Sequence, residues 1–561
     1  MFIKTSNDYV YHGIAILIPI ALMWILYHSV LQAWWLADDP ALLQSIAEHG
    51  IISHFYQSEV WRSLSSANLT PWVILSLGID WHFFGLEPLG YYWHHLLSFS
   101  IVLLIAYFVL NLFFSPLVCS LTLSIFVASI PSADIAQFLM TRHYLEGLGL
   151  SLLAILLYVK AIETDKLRWA IFGSIFYLLA TTAKEIYVPL VVVLPWLLVG
   201  NWIQRGKMLI PFVAVAGVYV LWRIYMLKPS SLLTGYSLAP KLDWNIVFAL
   251  PNRVAEVLGW QHSWQLLIVL LISLIYLFII FKYLKILKWI KLCAVLLWLA
   301  VTLLPIVPVL SILTSRYLFL PYFMLSLSVA FFLHILFRMQ CNYIALALGF
   351  SMLAVGIKSV EIGPAVILPT ESIKQHRIEG QFVLTGGNVN DLLLNPLPPG
   401  GEGYYQSLQW LREHVLKLPK GVGVCYDLCV CQPQSSDKIY QFVQGHLKSS
   451  KFDESVLDCG KHDVALTVKI SRAGHVLHWQ LGPYKKGQYY AIASSNRPNM
   501  RDGAPVINIP TRGNLFYDLS KTLYVVIKYI SPEGWHTYSP ILTLDPAKTD
   551  IQGNVELIWE R

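Results

Sequence analysis

The sequence predicts a polytopic α-helical membrane protein, of about eleven spans, with an α+β region and a β-sandwich outside the cytoplasm at its C-terminal end. Three observations predict this class. The 561-residue chain is 56% hydrophobic and only 13% charged, whereas soluble proteins carry about a quarter charged residues. Apolar runs long enough to cross a bilayer recur up to about residue 362. Beyond that point short runs alternate polar and apolar residues, which is typical of β-strands.

Eleven apolar runs are predicted to span the membrane, because crossing takes about 20 mostly apolar residues. They are 11–35, 92–114, 116–133, 143–161, 168–183, 186–202, 208–227, 264–282, 291–310, 316–337 and 342–362. The first run is longer than the apolar part of a secretory signal, and no small-residue cleavage site follows it. We therefore interpret it as a retained helix.

Basic residues predict the orientation. They fall in four short loops: Lys160, Lys166 and Arg168; Arg205 and Lys207; Lys282, Lys285, Lys288 and Lys291; and Arg338. With eleven spans these loops share one face, which the positive-inside rule makes cytoplasmic. The N-terminus is then cytoplasmic, and the loops 36–91 and 228–263 and the C-terminal region lie outside. The net charge of +7 is interpreted as a topology signal, so no nucleic-acid partner is expected.

Three domains are predicted: a transmembrane domain at 1–362, a linker with a small α/β region at 363–460, and a β-sandwich at 461–561. The linker contains the Gly/Pro-rich run "LTGGNVNDLLLNPLPPGGEG", and "YYQSLQWLREHVLKL" predicts an amphipathic helix. Runs such as "VALTVKI" and "LYVVIKYI" predict strands. The strand with Trp479 and "YVVIKYISPEGWHTYSP" resemble a fibronectin type III module.

Four of the seven cysteines lie in this outer region: Cys425, Cys429, Cys431 and Cys459. On the oxidising side of a membrane they are predicted to form one or two disulfides. A zinc site is the weaker interpretation, because "CYDLCVC" lacks the paired C-x-x-C spacing.

Ionisable residues concentrate at the predicted outer ends of the spans. They are Asp38 and Asp39 after the first span, Asp134, Arg142 and His143 between spans three and four, Lys184 and Glu185 between spans five and six, and Arg316 at span ten. Each alone fits a cap or a turn: in "DDPALL", Asp39 is a candidate N-cap with Pro40 as the first helical residue. Together on one face they indicate a site, because charges at a membrane are costly.

Transfer onto a hydroxyl from an anionic lipid-linked donor is the chemistry that fits these residues. Asp38 is the expected general base, and Asp39 would orient it or raise its proton affinity. The donor phosphate would be held by Arg142, Lys184 and Arg316, with Asp134, His143 and Glu185 in support. A divalent cation, magnesium or manganese, on Asp38, Asp39 and Asp134 is the one cofactor considered.

Four motifs in this order resemble the glycosyltransferases of the GT-C superfold, and among them the transmembrane O-mannosyltransferases with tetratricopeptide repeats. The motifs are "ADDPALL", "IPSADIAQFLMTRHYLEG", "TTAKEIYVPLVVVLP" and "SRYLFLPYF". The family's second acid falls on Asp134, its arginine on Arg142, its Lys-Glu pair on Lys184 and Glu185, and its late arginine on Arg316. The resemblance covers residues 1–340.

The sequence departs from this family at two motif positions and in its C-terminal region. Ile130 replaces the usual His before Pro131, Ser315 replaces a frequent Glu, and a β-rich domain stands where the repeats would be. The resemblance therefore implies a polyprenyl- or dolichyl-phosphate monosaccharide donor, an inverting displacement, and a protein or glycan acceptor, without naming the sugar. The compact form implies a bacterial inner-membrane enzyme with a periplasmic C-terminal domain.

Three other functions remain open at the level of sequence. A transporter or flippase of lipid-linked sugars would use broken helices, and Pro305 and Pro308 favour it. A surface-polysaccharide ligase or polymerase would use a diphosphate donor. An inactive scaffold would not need the pair of Asp38 and Asp39.

Overall fold

The fold comes from a computed structural model of the chain. The residues that it describes are 6–65, 68–197, 199–227, 297, 313–362, 370–397, 403–434, 436–453, 457–461, 463–473, 476–495, 500–501, 506–516, 522–545 and 555–561. The chain divides into two compact units. The first consists of Met1–Ala33 and Glu48–Leu368, and the second of Trp34–Ala47 and Pro369–Arg561.

The first unit is helical throughout its described residues. Its helices, numbered along the chain, are α1 (Ser6–Tyr27), α3 (Ser53–Tyr56), α4 (Ser58–Leu64), α5 (Pro71–Phe84), α6 (Pro88–Asn111), α7 (Pro116–Val127), α8 (Ile130–Gln137), α9 (Arg142–Thr164), α10 (Leu167–Ala183), α11 (Leu190–Val193), α12 (Trp202–Leu227), α13 (Phe319–Arg338) and α14 (Asn342–Ile362). Short 3-10 turns lie at His28–Gln32, Leu139–Thr141, Glu185–Tyr187, Leu194–Trp196 and Ser315–Leu318. Within the described part of the chain, six helices are long and apolar enough to cross a membrane, or seven if a bent pair forms one span.

Long apolar helices lie at six of the predicted spans, namely 11–35, 92–114, 143–161, 208–227, 316–337 and 342–362. The predicted span 116–133 is instead the pair α7 and α8, bent by 64°. Pro131 near the start of α8 lacks an N–H and favours a new helix there. Two predicted spans, 264–282 and 291–310, lie outside the described residues apart from residue 297, as does the loop 228–263.

The prediction that 186–202 forms one continuous helix is wrong. The chain from Glu185 to Trp196 is a series of short helical pieces. Pro189 and Pro195 interrupt it, because proline cannot donate to the helical hydrogen-bond ladder. The predicted loop at 205–207 is also wrong, since Arg205 lies in the first turn of α12 and its guanidinium binds the carbonyls of the preceding segment.

The second unit joins a short segment near the N-terminus to the C-terminal region. Its helices are α2 (Asp39–His49), which the unit boundary cuts after Ala47, α15 (Thr370–Thr385), α16 (Tyr404–His414) and α17 (Leu428–Cys431). The predicted amphipathic helix is thereby confirmed as α16. Its strands are β1 (Asp391–Leu394), β2 (Gly423–Cys425), β3 (Lys438–Val443), β4 (His446–Lys451), β5 (Thr467–Ala473), β6 (Val476–Gly482), β7 (Gln488–Ser495), β8 (Val506–Ile509), β9 (Arg512–Phe516), β10 (Leu523–Ile530), β11 (His536–Tyr538), β12 (Leu542–Leu544) and β13 (Val555–Glu560).

These strands form a small mixed sheet and a two-sheet sandwich. The mixed sheet has the order β2-β1-β3-β4, with β1 parallel to both of its neighbours. The sandwich consists of β13-β5-β6-β9 on one side and β11-β10-β7-β8 on the other, with β12 also on β10. One apolar core lies between its sheets, with Val468 and Ile470 from the first and Val525 and Ile527 from the second.

The four cysteines of the C-terminal region are paired, which agrees with the predicted disulfides. Cys425 bonds to Cys431 and Cys429 bonds to Cys459. The first bond joins β2 to α17, and the second reaches the segment that precedes the sandwich. The mixed sheet and the start of the sandwich are therefore covalently linked.

Candidate functional site

The bend between α7 and α8 places Asp134 beside the turn that precedes α13. The side chain of Asp134 is only 7% exposed. The hydroxyl of Ser315 and the backbone N–H of Arg316 both donate to its carboxylate. The Arg316 guanidinium interacts electrostatically with the same carboxylate and is itself partly exposed. Ser315 thus binds the acidic residue of another motif.

A second group of side chains reaches the same place from α9 and from the end of α10. Lys184 is 6% exposed and its Nζ lies 5.1 Å from the ring centroid of Tyr144. The buried His143 interacts electrostatically with Lys184 and Arg316. Tyr144 interacts electrostatically with Asp134, Arg316 and Glu185. The fold therefore brings together five residues from three separate motifs: Asp134, His143, Lys184, Glu185 and Arg316. We call these five residues the cationic cluster.

Glu185 has its own anchors within the helical unit. Its carboxylate accepts the N–H of Leu69 at 2.5 Å and forms an ion pair with Arg223 of α12. Arg223 was not selected from the sequence. The signal that could have found it is a charge within an otherwise apolar span. Glu185 thus connects the cationic cluster to α12 and to the chain before α5.

Arg142 faces away from this cluster, although it is adjacent to His143 in the chain. It is fully buried, forms an ion pair with Asp80 of α5, and donates to the carbonyl of Tyr91 at 2.5 Å. Successive helical residues point about 100° apart, so neighbours on α9 reach different surroundings. The structure places Arg142 in a second polar network and not beside Lys184 and Arg316.

This second network joins α5, α6 and α9. His94 lies 2.6 Å from the Asp80 carboxylate and 3.7 Å from that of Glu146. Glu146 also accepts the indole N–H of Trp72 at 2.6 Å and the hydroxyl of Ser76 at 3.0 Å. Sequence reasoning missed Asp80, His94 and Glu146. A search for ionisable residues in every apolar helix, not only at loop ends, would have found them.

Asp38 and Asp39 belong to the second unit and differ sharply from each other. Asp39 is 1% exposed, and its carboxylate accepts the N–H of Leu36 at 2.9 Å. Asp38 is exposed. Helix α2 begins at Asp39 itself, so Pro40 is its second residue and the predicted N-cap position is shifted by one. Two side chains that are alike in the sequence thus have opposite environments.

A metal centre is not formed by the described side chains. Within the described ranges, no group of three His, Cys, Asp or Glu side chains comes together as a candidate metal site. Asp134, one of the three expected ligands, already accepts hydrogen bonds from Ser315 and Arg316. A metal-ligating carboxylate can also accept hydrogen bonds, so the divalent cation stays a prediction.

Comparisons with known proteins add no relative. Neither a family model nor a curated protein matches the chain. The fold itself defines the class: long apolar helices of membrane-spanning type, with a C-terminal region of β-sheets.

Proposed function

We propose that this protein is a GT-C-like membrane glycosyltransferase, which moves a monosaccharide from a polyprenyl-phosphate donor to a hydroxyl of a protein or glycan. The observation that carries the proposal is the cationic cluster. Residues from three motifs, separated by up to 182 positions between Asp134 and Arg316, converge at one place in the helical unit. A single capping or turn role for each residue does not account for that convergence.

Lys184 and Arg316 are the proposed ligands of the donor phosphate. Both cations lie among the same neighbouring side chains, in a low-dielectric setting. A phosphate there interacts more strongly with a positive charge than it does in water. Asp134 and Ser315 hold the backbone at Arg316 and so orient its guanidinium. Arg142, which is paired with Asp80, is assigned a structural role in place of the expected donor contact.

Asp38 is the proposed general base. The acceptor oxygen would attack the anomeric carbon as the bond from that carbon to the phosphate oxygen breaks. The hydroxyl proton passes to Asp38, and the polyprenyl phosphate leaves with the bonding electrons. The exposed Asp38 suits this role, whereas Asp39 is buried against the N–H of Leu36. The proposal includes eleven spans, a cytoplasmic N-terminus, and a periplasmic C-terminal domain of a bacterial inner membrane.

Transport of a lipid-linked sugar is the second candidate, because of one observation. The break between α7 and α8, with its 64° bend, comes directly before the helix that carries Asp134, and transporters often build their sites at broken helices. A transporter would move the labelled donor across a proteoliposome membrane without forming a glycosidic bond.

Two substitutions test the proposed enzyme in purified protein. Asp38→Asn should lower sugar transfer about a hundredfold or more, the usual contribution of a general base, while binding of undecaprenyl phosphate is retained. Arg316→Ala should weaken that binding about tenfold or more, because charged hydrogen bonds contribute about 1.5–3 kcal/mol. Transfer is measured from a panel of labelled polyprenyl-phosphate hexoses and pentoses.

Matched controls change the same residue types elsewhere in the chain. Asp165→Asn changes an exposed aspartate after α9, and Arg338→Ala changes the last residue of α13; both should retain transfer and binding. Wild-type transfer by Asp38→Asn would end its assignment as base. If Asp39→Asn is inactive in its place, the two roles are exchanged.

A further inference from the structure

The segment that carries Asp38 folds with a region more than 300 residues away in the chain. Residues Trp34–Ala47 belong to the same compact unit as Pro369–Arg561, and not to the unit formed by the residues that flank them. The sequence predicted this segment as part of an outer loop of the membrane domain. Its actual partners are α15 and α16.

Two contacts anchor the start of the segment. The hydroxyl of Tyr404, on α16, donates to the backbone carbonyl of Trp35 at 2.8 Å, and Tyr404 is 3% exposed. Gly380, on α15, packs directly against the indole of Trp34, so a Cβ at this glycine would overlap the ring. Tyr404 also interacts electrostatically with Asp39.

The turn between these anchors and α2 is itself fixed. The Leu36 N–H is bound by Asp39, and Ala37 has a left-handed backbone with a φ of 48°. A left-handed alanine costs about 1–2 kcal/mol and persists where the surroundings hold it. From residue 33 to residue 40 every described side chain is buried except that of Asp38.

We infer that Tyr404 and Gly380 are positioning residues that hold the acidic turn so that Asp38 alone is presented to substrate. The catalytic part of this inference rests on the proposed function. A general base acts only within hydrogen-bond reach of the proton it takes, and a misplacement of about 1 Å can cost a hundredfold in rate. On this inference, Tyr404 and Gly380 of the C-terminal region hold the turn of the proposed base.

The test uses the full-length protein and two conservative substitutions with matched controls. Tyr404→Phe removes only the hydroxyl that binds Trp35, and Tyr405→Phe makes the same change at the next residue, whose hydroxyl donates to Leu397. Gly380→Ala adds a methyl against Trp34. Gly217→Ala adds one in α12, where no atom of the described residues lies within 4 Å of it.

Three quantities are measured: hydrogen exchange of the peptide 34–47, the kcat and KM of sugar transfer, and the binding of undecaprenyl phosphate. In Tyr404→Phe and Gly380→Ala, exchange in the peptide should rise at least about tenfold. The kcat should fall about ten- to hundredfold, while donor binding stays as in the wild type. A purely structural loss would lower kcat and donor binding together with the amount of folded protein. The controls should change none of the three quantities.

The outcomes separate this inference from the proposed function. Unchanged exchange in the peptide 34–47 for both variants would overturn the positioning role whatever the activity. Raised exchange with wild-type kcat would overturn its catalytic part. Wild-type transfer by Asp38→Asn would remove the proposed base, yet the exchange data would still decide whether Tyr404 and Gly380 hold the turn.

Discussion

At the scale of single residues, neighbours in the chain have separate roles. Asp38 is exposed while Asp39 is buried, and Arg142 pairs with Asp80 while His143 faces Lys184. Each pair looks equivalent in the sequence. The difference arises because one step along a helix or a turn redirects the side chain.

Arg142→Ala should destabilise the helical unit by about 3–5 kcal/mol, because it leaves the buried Asp80 without its cation. Thermal unfolding of the detergent-solubilised protein measures this loss. The double variant Arg142→Gln with Asp80→Asn should recover part of the stability. If Arg142→Ala leaves the midpoint of thermal unfolding unchanged but weakens the binding of undecaprenyl phosphate, Arg142 is a ligand of the donor and not a structural residue.

Two buried groups on α15 should give opposite pH dependences of stability. Burial raises the pKa of Glu379 from 4.5 to about 7, and burial lowers the pKa of His376 from 6.5 to about 4. The stabilisation from Glu379 is complete below pH 4.5 and is lost as pH rises through 7. That from His376 is complete above pH 6.5 and is lost as pH falls through 4.

These two effects should largely cancel in the wild type. In Glu379→Gln the effect of His376 remains, so the stability of the second unit should rise between pH 4 and 6.5. In His376→Asn the effect of Glu379 remains, so the stability should fall between pH 4.5 and 7. Hydrogen exchange of the peptide 370–385, corrected for the intrinsic pH dependence of exchange, measures both. Parallel profiles for the wild type and the two variants would contradict the assignment.

At the scale of elements, prolines interrupt apolar runs and disulfides link separate elements. The pattern of apolar residues alone predicts neither effect. Pro131, Pro189 and Pro195 divide runs that hydropathy alone reads as continuous. In the first case the break gives α8, which carries Asp134 towards the turn before α13. The helix break that interrupts the predicted span 116–133 thus forms part of the candidate site.

The two disulfides should contribute unequally to stability, because they close loops of different length. Cys429–Cys459 spans 30 residues and Cys425–Cys431 spans 6. Loop-closure entropy then predicts losses of about 3–4 kcal/mol and about 2 kcal/mol for the paired alanine variants. Thermal unfolding under non-reducing conditions compares them, and the loss of sugar transfer should be the smaller effect. Equal losses would show that chain entropy is not the main term.

At the scale of the whole molecule, the chain order does not follow the division into units. The second unit takes residues from both ends of the chain, with Trp34–Ala47 joined to Pro369–Arg561. The sandwich core and both disulfides lie within this unit. Its position in the cell therefore determines the side on which Asp38 is found.

The C-terminal region is predicted to lie outside the cytoplasm. Fusions after about residue 400 should be active with an alkaline phosphatase reporter, which needs export, and inactive with a cytoplasmic fluorescent reporter. The basic loops and the odd number of predicted spans are the physical reason. A fusion within Thr164–Leu167 is the control and should give the opposite pattern. Cytoplasmic activity at residue 400 would overturn the orientation, and with it the periplasmic acceptor.

The sequence by itself determined the class of protein and much of its local structure. Low charge and long apolar runs indicated membrane helices, alternation indicated the strands of the sandwich, and four cysteines indicated disulfides. These properties follow from local pattern and from burial in lipid or in a core, so one chain suffices to predict them. It also selected Asp134, His143, Lys184, Glu185 and Arg316, which the fold brings together.

Only the tertiary structure decided which of the selected residues face one another. It placed Arg142 against Asp80, added His94 and Glu146, and assigned the turn of Asp38 to the C-terminal unit through Tyr404 and Gly380. The Arg142–Asp80 contact joins residues 62 positions apart, and the Tyr404–Trp35 contact joins residues 369 positions apart. Such pairings depend on how whole elements pack, and the local periodicity of the chain carries no record of them.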